Sequence, residues 1–145
     1  MVSPPRATSD RVAYVDTSSG ASGNMLLAAL ADAGLDLVSW NEGMATLGVD
    51  GWGIAVERRD SCGVEGTFLD VVLDGHDRPH RDLADIEDII TASDLSVKVK
   101  AQSIAVFRRL ARAEARAHGT DVSEVRFHEI GAVDSIVDTV GFVLG

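Results

Sequence analysis

Two strand-like runs, WGIAVERRD (52–60) and GTFLDVVLDG (66–75), are joined through SCGVEG, a stretch rich enough in glycine to reverse the chain. Their β-branched and aromatic content predicts a β-hairpin, and the longer segments on either side of it carry a helical period. Upstream, NMLLAALADAG (24–34) reads as a helix with Asn24 as N-cap and Gly34 as stop, apolar on nearly every side and so expected to be deeply buried. Leu37, Trp40, Met44 and Leu47 then recur at helical spacing and predict a second helix before Gly48. Downstream, Leu83, Ile86, Ile89 and Ile90 mark another, and residues 94–119 a longer one that stops at His118 and Gly119. RVAYVD (11–16) reads as an opening strand, EVRFH (124–128) as a closing one, and AVDSIVDTVGFVL (132–144) as a last helix. The order predicts an α/β (α+β) chain: a split βαβ, ferredoxin-like arrangement of about four strands with flanking helices and one helix extra.

The chain has 145 residues, enough for one domain with a real core. Residues 11–145 are expected to form that single domain, and the polar, proline-bearing residues 1–10 a disordered leader without a signal-peptide core. No apolar run reaches membrane-spanning length. A formal net charge of −10 argues against nucleic acid or an anionic membrane as partner and is compatible with cation handling. Cys62 is the single cysteine, so no internal disulfide can form, which fits a cytoplasmic setting.

Three stretches could carry chemistry. In VDTSSGASGNM (15–25) a strand end, a small-residue loop and a helix start follow one another. Backbone N–H groups there form an anion cradle, and Ser19, Gly20, Ser22, Gly23 and Asn24 are the candidate phosphate- or nucleotide-binding residues. A tight glycine turn into a core helix is the plainer reading, and the loop lacks the lysine of a P-loop. Asp16 closes the strand, where ligand sites in α/β folds gather, and is a candidate metal ligand, since a cation can bridge it to the cradle; an Asp that caps its own loop is the alternative. His76 and His80 could converge on a metal, or could be two exposed loop histidines.

The third stretch, RFHEIGAVDSIVDTVG (126–141), holds the strongest set. Asp134 and Asp138 lie one helical turn apart and share a face, where like charges repel mildly unless water or a cation neutralises them. Val133, Ile136, Val137, Val140 and Leu144 form the opposite, apolar stripe, expected to be uncovered and to favour self-association. With His128 and Glu129 the two aspartates make a mixed N/O set suited to a borderline divalent ion; a solvated acidic face is the alternative. Arg108, Arg112 and Arg116 align along one helix and are expected to pair with the acidic excess.

DTSSGASGNMLLAALADAG and FHEIGAVDSIVDTVG together resemble the opening motif and the H-F-H-E-V-G-A-V-D-S-I-V-D signature of the LarC family, and the resemblance runs from Val12 to Gly145. Asn24 stands where that family usually has Asp. The resemblance implies the N-terminal portion of a longer protein. It implies a role in nickel-pincer cofactor biosynthesis: nickel insertion into pyridinium-3,5-bisthiocarboxylic acid mononucleotide, for the lactate racemase cofactor. Implied with it are a lyase-type metallochelatase activity, Ni2+ as the metal, CTP with Mn2+ or Mg2+, a further C-terminal CTP-binding portion and homo-oligomers. The resemblance singles out no catalytic residue. A non-catalytic metal-binding or assembly module that needs a partner chain is the alternative. A small phosphohydrolase built on Asp16 has little support.

Overall fold

In a computed structural model the described residues are 12–18, 20–75, 81–127 and 133–145. Five helices and two small sheets make an α+β fold: α1 (Gly23–Asp32), α2 (Leu37–Ala45), β1 (Trp52–Ser61), β2 (Val64–Leu73), β3 (Arg81–Asp82), α3 (Leu83–Ala92), α4 (Val97–His118), β4 (Arg126–Phe127) and α5 (Val133–Leu144).

The hairpin forms, and its turn is tighter than the glycine pattern predicted. Only Cys62 and Gly63 turn the chain, both at positive φ, as a two-residue hairpin loop requires. The strands thereby reach ten residues each, pairing Ser61 with Val64 and Trp52 with Leu73. Gly63 N–H also donates to the Asp60 carboxylate at 3.2 Å.

The four-stranded ferredoxin-like sheet is not what forms among the described residues. β1 and β2 make one antiparallel pair, β3 and β4 a second and separate one. Residues 12–17, expected to open the sheet, form no strand, with Val12 90% and Tyr14 91% exposed. A direction argument explains part of the difference. Asp32, at the carboxyl end of α1, accepts a hydrogen bond from Thr67 at 2.7 Å. Gly23, at the amino end of α1, lies against Asp138, whose carboxylate feels Asp70 further along β2. Helix α1 therefore runs antiparallel to β2, because α2 reverses the chain once more than a split βαβ unit allows.

Helix α5 is the centre of the core rather than an uncovered face. Ile136, Val137 and Val140 are fully buried, and α5 packs on α1, α2, α4 and β2. Its stripe reads as predicted, but it is covered within the chain, and the argument for self-association from that stripe falls. Trp40 locks α2 to α5: its indole N–H donates to the Gly141 carbonyl at 2.8 Å, and a Cβ at position 141 would run into the indole ring. Phe107, Met44, Ile86, Ile90 and Phe127 complete this core. Arg108 reaches from α4 to α3 and grips the Glu87 carboxylate through two bonds of 2.7 Å, which holds that carboxyl below its usual range.

Helix α1 is less buried than its composition predicted. Leu27 and Ala28 face the core, while Met25 is 55% exposed. Its N-cap is Ser22 rather than Asn24. Ser22 donates its hydroxyl to the Asn24 amide oxygen, which also accepts the Met25 N–H at 3.0 Å. The amide oxygen thus serves one of the helix's unpaired donors from inside the first turn. No helix among the described residues is long and apolar enough to cross a membrane.

Candidate functional site

Both motifs read from the sequence meet at one place, the amino end of α1 where α5 crosses it. The contact depends on Gly23. A Cβ there would overlap the Asp138 carboxyl and its Cβ, so only a glycine lets the second turn of α5 press this side chain against the start of α1. Gly23 was legible as a loop glycine; its partner was not, since 115 positions separate the two.

The sequence places Asp138 on the polar side of α5, away from the core, and the structure half-buries it. Its Oδ1 is fully covered and has no hydrogen-bond partner among the described residues. Loss of water raises its pKa to about 6, with further contributions from the negative charges of Asp134 and then Asp70. Asp70, on β2, is the residue sequence reasoning missed. It reads as one polar position in an alternating strand, it is exposed, and nothing in that pattern signals that its charge reaches Asp138. Asp134 is half-exposed, and its Oδ1 accepts the Ser135 N–H at 2.8 Å.

These charges act on one another through space. No three His, Cys, Asp or Glu side chains among the described residues converge closely enough to hold a metal ion by themselves. His128, Glu129, His76, His80 and Ser19 lie outside the described residues. Asp16 is described and is fully exposed. Its Oδ1 accepts the Ser18 N–H at 2.9 Å, and that bond, with the Ser18 hydroxyl, lowers its pKa. This is the self-capping geometry, completed by a turn in which Gly20 N–H donates to the Thr17 carbonyl at 3.0 Å.

The electrostatics modify the anion-cradle reading. A helix start carries partial positive charge, but here the chain's own carboxylate faces it at Gly23 and two further carboxylates lie near. An approaching phosphate meets net negative charge unless a cation comes with it. The chemistry here suits a cation better than an anion: Asp138 brings a covered acceptor without a donor among the described residues, and two negative charges act on it.

A second feature lies beside the junction. A groove of about 330 Å³ runs between α1 and β2, lined by Met25, Ala28, Ala29, Thr67, Phe68 and Leu69 among others. At its far end Arg58 donates to Asp32 and to Thr67, tying the hairpin to α1 and holding the Asp32 carboxyl below its usual range, with the Thr67 bond the larger cause.

Comparison with known proteins places these residues in a family. The chain is 51% identical over 136 residues to a Thermomicrobium roseum protein, covering 93% of this chain and 33% of that one. It is 46% identical over 136 residues to the pyridinium-3,5-bisthiocarboxylic acid mononucleotide nickel insertion protein of Desulfitobacterium hafniense, with the same coverage. The protein of that name from Acetivibrio thermocellus is 42% identical over 139 residues, 90% of this chain and 34% of the relative. The chain thus spans about a third of the length of these relatives. No solved structure matches it. Residues 13–145, which include the Gly23–Asp138 contact, match the family described as nickel insertion protein, and the chain belongs to that family.

Proposed function

We propose that this chain is the metal-handling portion of a protein that inserts nickel into pyridinium-3,5-bisthiocarboxylic acid mononucleotide. The observation that carries this is Asp138: a half-buried carboxylate with a covered oxygen that has no hydrogen-bond partner among the described residues, and two more carboxylates acting on it, at a helix start. Nickel is cargo here. Asp134 and Asp138 supply oxygen, while His128 and Glu129, which directly follow β4 in the chain, five and four residues before α5 begins, supply imidazole and a further carboxylate. The mixed set suits a borderline ion that must later be given up. Asp16 is a further oxygen ligand of the metal, and the loop residues Ser19, Gly20, Ser22, Gly23 and Asn24 bind a phosphate of the nucleotide across the bound cation. His76 and His80 are a weaker, secondary nickel contact.

The full family activity extends beyond what one third of the family's length supplies. The dependence on CTP with Mn2+ or Mg2+, the homo-oligomer and the delivery of the product to lactate racemase belong to that larger assembly, in the cytoplasm. A non-catalytic metal-binding module that needs a partner chain is the second reading, favoured by the chain's spanning about a third of its relatives' length.

Calorimetry with Ni2+ tests the metal reading directly. Wild type is expected to bind, and His128→Ala, Asp134→Asn and Asp138→Asn each to lose about tenfold or more in affinity, as loss of one charged ligand predicts. The His76 and His80 double alanine variant is expected to lose less. Binding weakens as pH falls through about 6, because the Asp138 carboxyl must give up its proton to ligate. Unchanged affinity in Asp134→Asn and Asp138→Asn would show an acidic face that merely sits in water.

A further inference from the structure

We propose that the outer edge of β2, in the groove beside α1, is the docking site for residues 12–16 of this same chain, which add to the hairpin as a third, parallel strand.

The register of the hairpin shows which groups wait at that edge. Ser61 and Val64 flank a two-residue turn and so form a hydrogen-bonded pair, and such pairs alternate along an antiparallel ladder. Asp74 N–H donates to the Gly51 carbonyl at 3.0 Å, which continues the same alternation past Leu73. The even-numbered residues of β2 therefore bond to β1. Thr67, Leu69 and Val71 turn their backbone N–H and C=O groups the other way, and no described strand pairs with them. An open ten-residue edge on a two-stranded ribbon is a template for another strand.

The occupant is argued from its own sequence and tether. Val12, Ala13, Tyr14 and Val15 are apolar on both faces, the pattern of a strand buried on two sides, as parallel strands are. In the structure this run lies unpaired, with Val12 90%, Tyr14 91% and Val15 50% exposed. Its connection to α1 is the short loop 17–22, so a strand laid beside α1 on the same sheet runs antiparallel to that helix. Since α1 runs antiparallel to β2, the added strand runs parallel to β2. The intervening α1, α2 and β1 give the long crossover that a parallel pair needs. Met25, 55% exposed, and the apolar floor formed by Ala28 and Leu69 offer the side-chain contact.

Docking carries Asp16 toward the amino end of α1, against which Asp138 is pressed. Resting on the nickel reading above, this makes Asp16 a further oxygen ligand, delivered only when the strand is in place.

Amide hydrogen exchange by NMR on the metal-free full chain tests the docking, comparing wild type with the Val12→Asp/Tyr14→Asp double variant. These side chains are exposed in the undocked form, so the variant folds normally. The Thr67 and Leu69 amides are expected to exchange at least about tenfold more slowly in wild type, since local protection follows the population of the closed form. Equal exchange in the two proteins overturns the proposal. Protection that grows with protein concentration also overturns it, because the strand would then come from a second copy. Metal-free protection in a chain that fails to bind nickel keeps the docking and removes only the Asp16 ligand role.

Discussion

Gly23→Ala is expected to lower folding stability by about 1–3 kcal/mol, the range for an added methyl group in a packed contact. The added Cβ overlaps not only the end of the Asp138 side chain but its Cβ, which is fixed to the α5 backbone. Rotation of the carboxylate alone does not clear the contact, so α1 and α5 must separate. Because α5 is the helix on which α1, α2, α4 and β2 all pack, the displacement reaches the core. Chemical denaturation reads the loss. Nickel affinity is expected to fall in the same variant, through displacement of a ligand that is itself unaltered. A variant as stable as wild type would show that the two helices do not press together at this point.

The second large effect concerns Asp138 and pH. Its pKa rises from the ordinary 3.8 to about 6 in the folded chain, chiefly through loss of water. Between these values the native state holds a proton that the unfolded state has released, so stability falls as pH rises from about 4 to about 6. The full penalty is present above that window. A rise of this size corresponds to roughly 3 kcal/mol. The carboxylate keeps about half its solvent and faces a helix start, so screening reduces the penalty to about 1–2 kcal/mol. Asp138→Asn is therefore expected to be more stable than wild type by that amount at pH 7 and equal to it near pH 4. Thermal or urea denaturation across the range measures the difference. A variant destabilised at pH 7 would mean that the ionised carboxylate has a stabilising partner. Opposite responses of stability and nickel binding to this one substitution would mark a ligand site, an unfavourable charge that a bound cation offsets.

The helices were legible because their apolar periods are long and clean. Leu37, Trp40, Met44 and Leu47 gave α2, and Val133, Ile136, Val137 and Val140 gave the buried stripe of α5. The hairpin was legible for the same local reason, and its tighter turn follows from Cys62 accepting a positive φ beside Gly63. Strand partners were not legible. Residues 12–16 carry a strand's composition, yet pairing depends on a distant edge that composition cannot name, and β3 is too short to announce itself. Burial of polar residues was the other blind point. Asp138 falls on the polar side of its own helix, and a one-helix pattern cannot show that a glycine from α1 closes over that side. Asp70 is exposed, and a strand pattern cannot show that its charge acts on a side chain of a distant helix. The acidic pair at one-turn spacing was visible; the surroundings that give it chemistry come from three separate elements.

The central claim is that the junction of α1 and α5 holds a cation. Substoichiometric Ni2+, a paramagnetic ion, added to isotopically labelled chain perturbs resonances in order of their distance from the bound metal. The account predicts that Gly23, Asp70, Asp134 and Asp138 are perturbed first, and that Asp138→Asn removes the effect at all of them together. Perturbation confined to His76 and His80, with Gly23 and Asp138 unmoved, would contradict it.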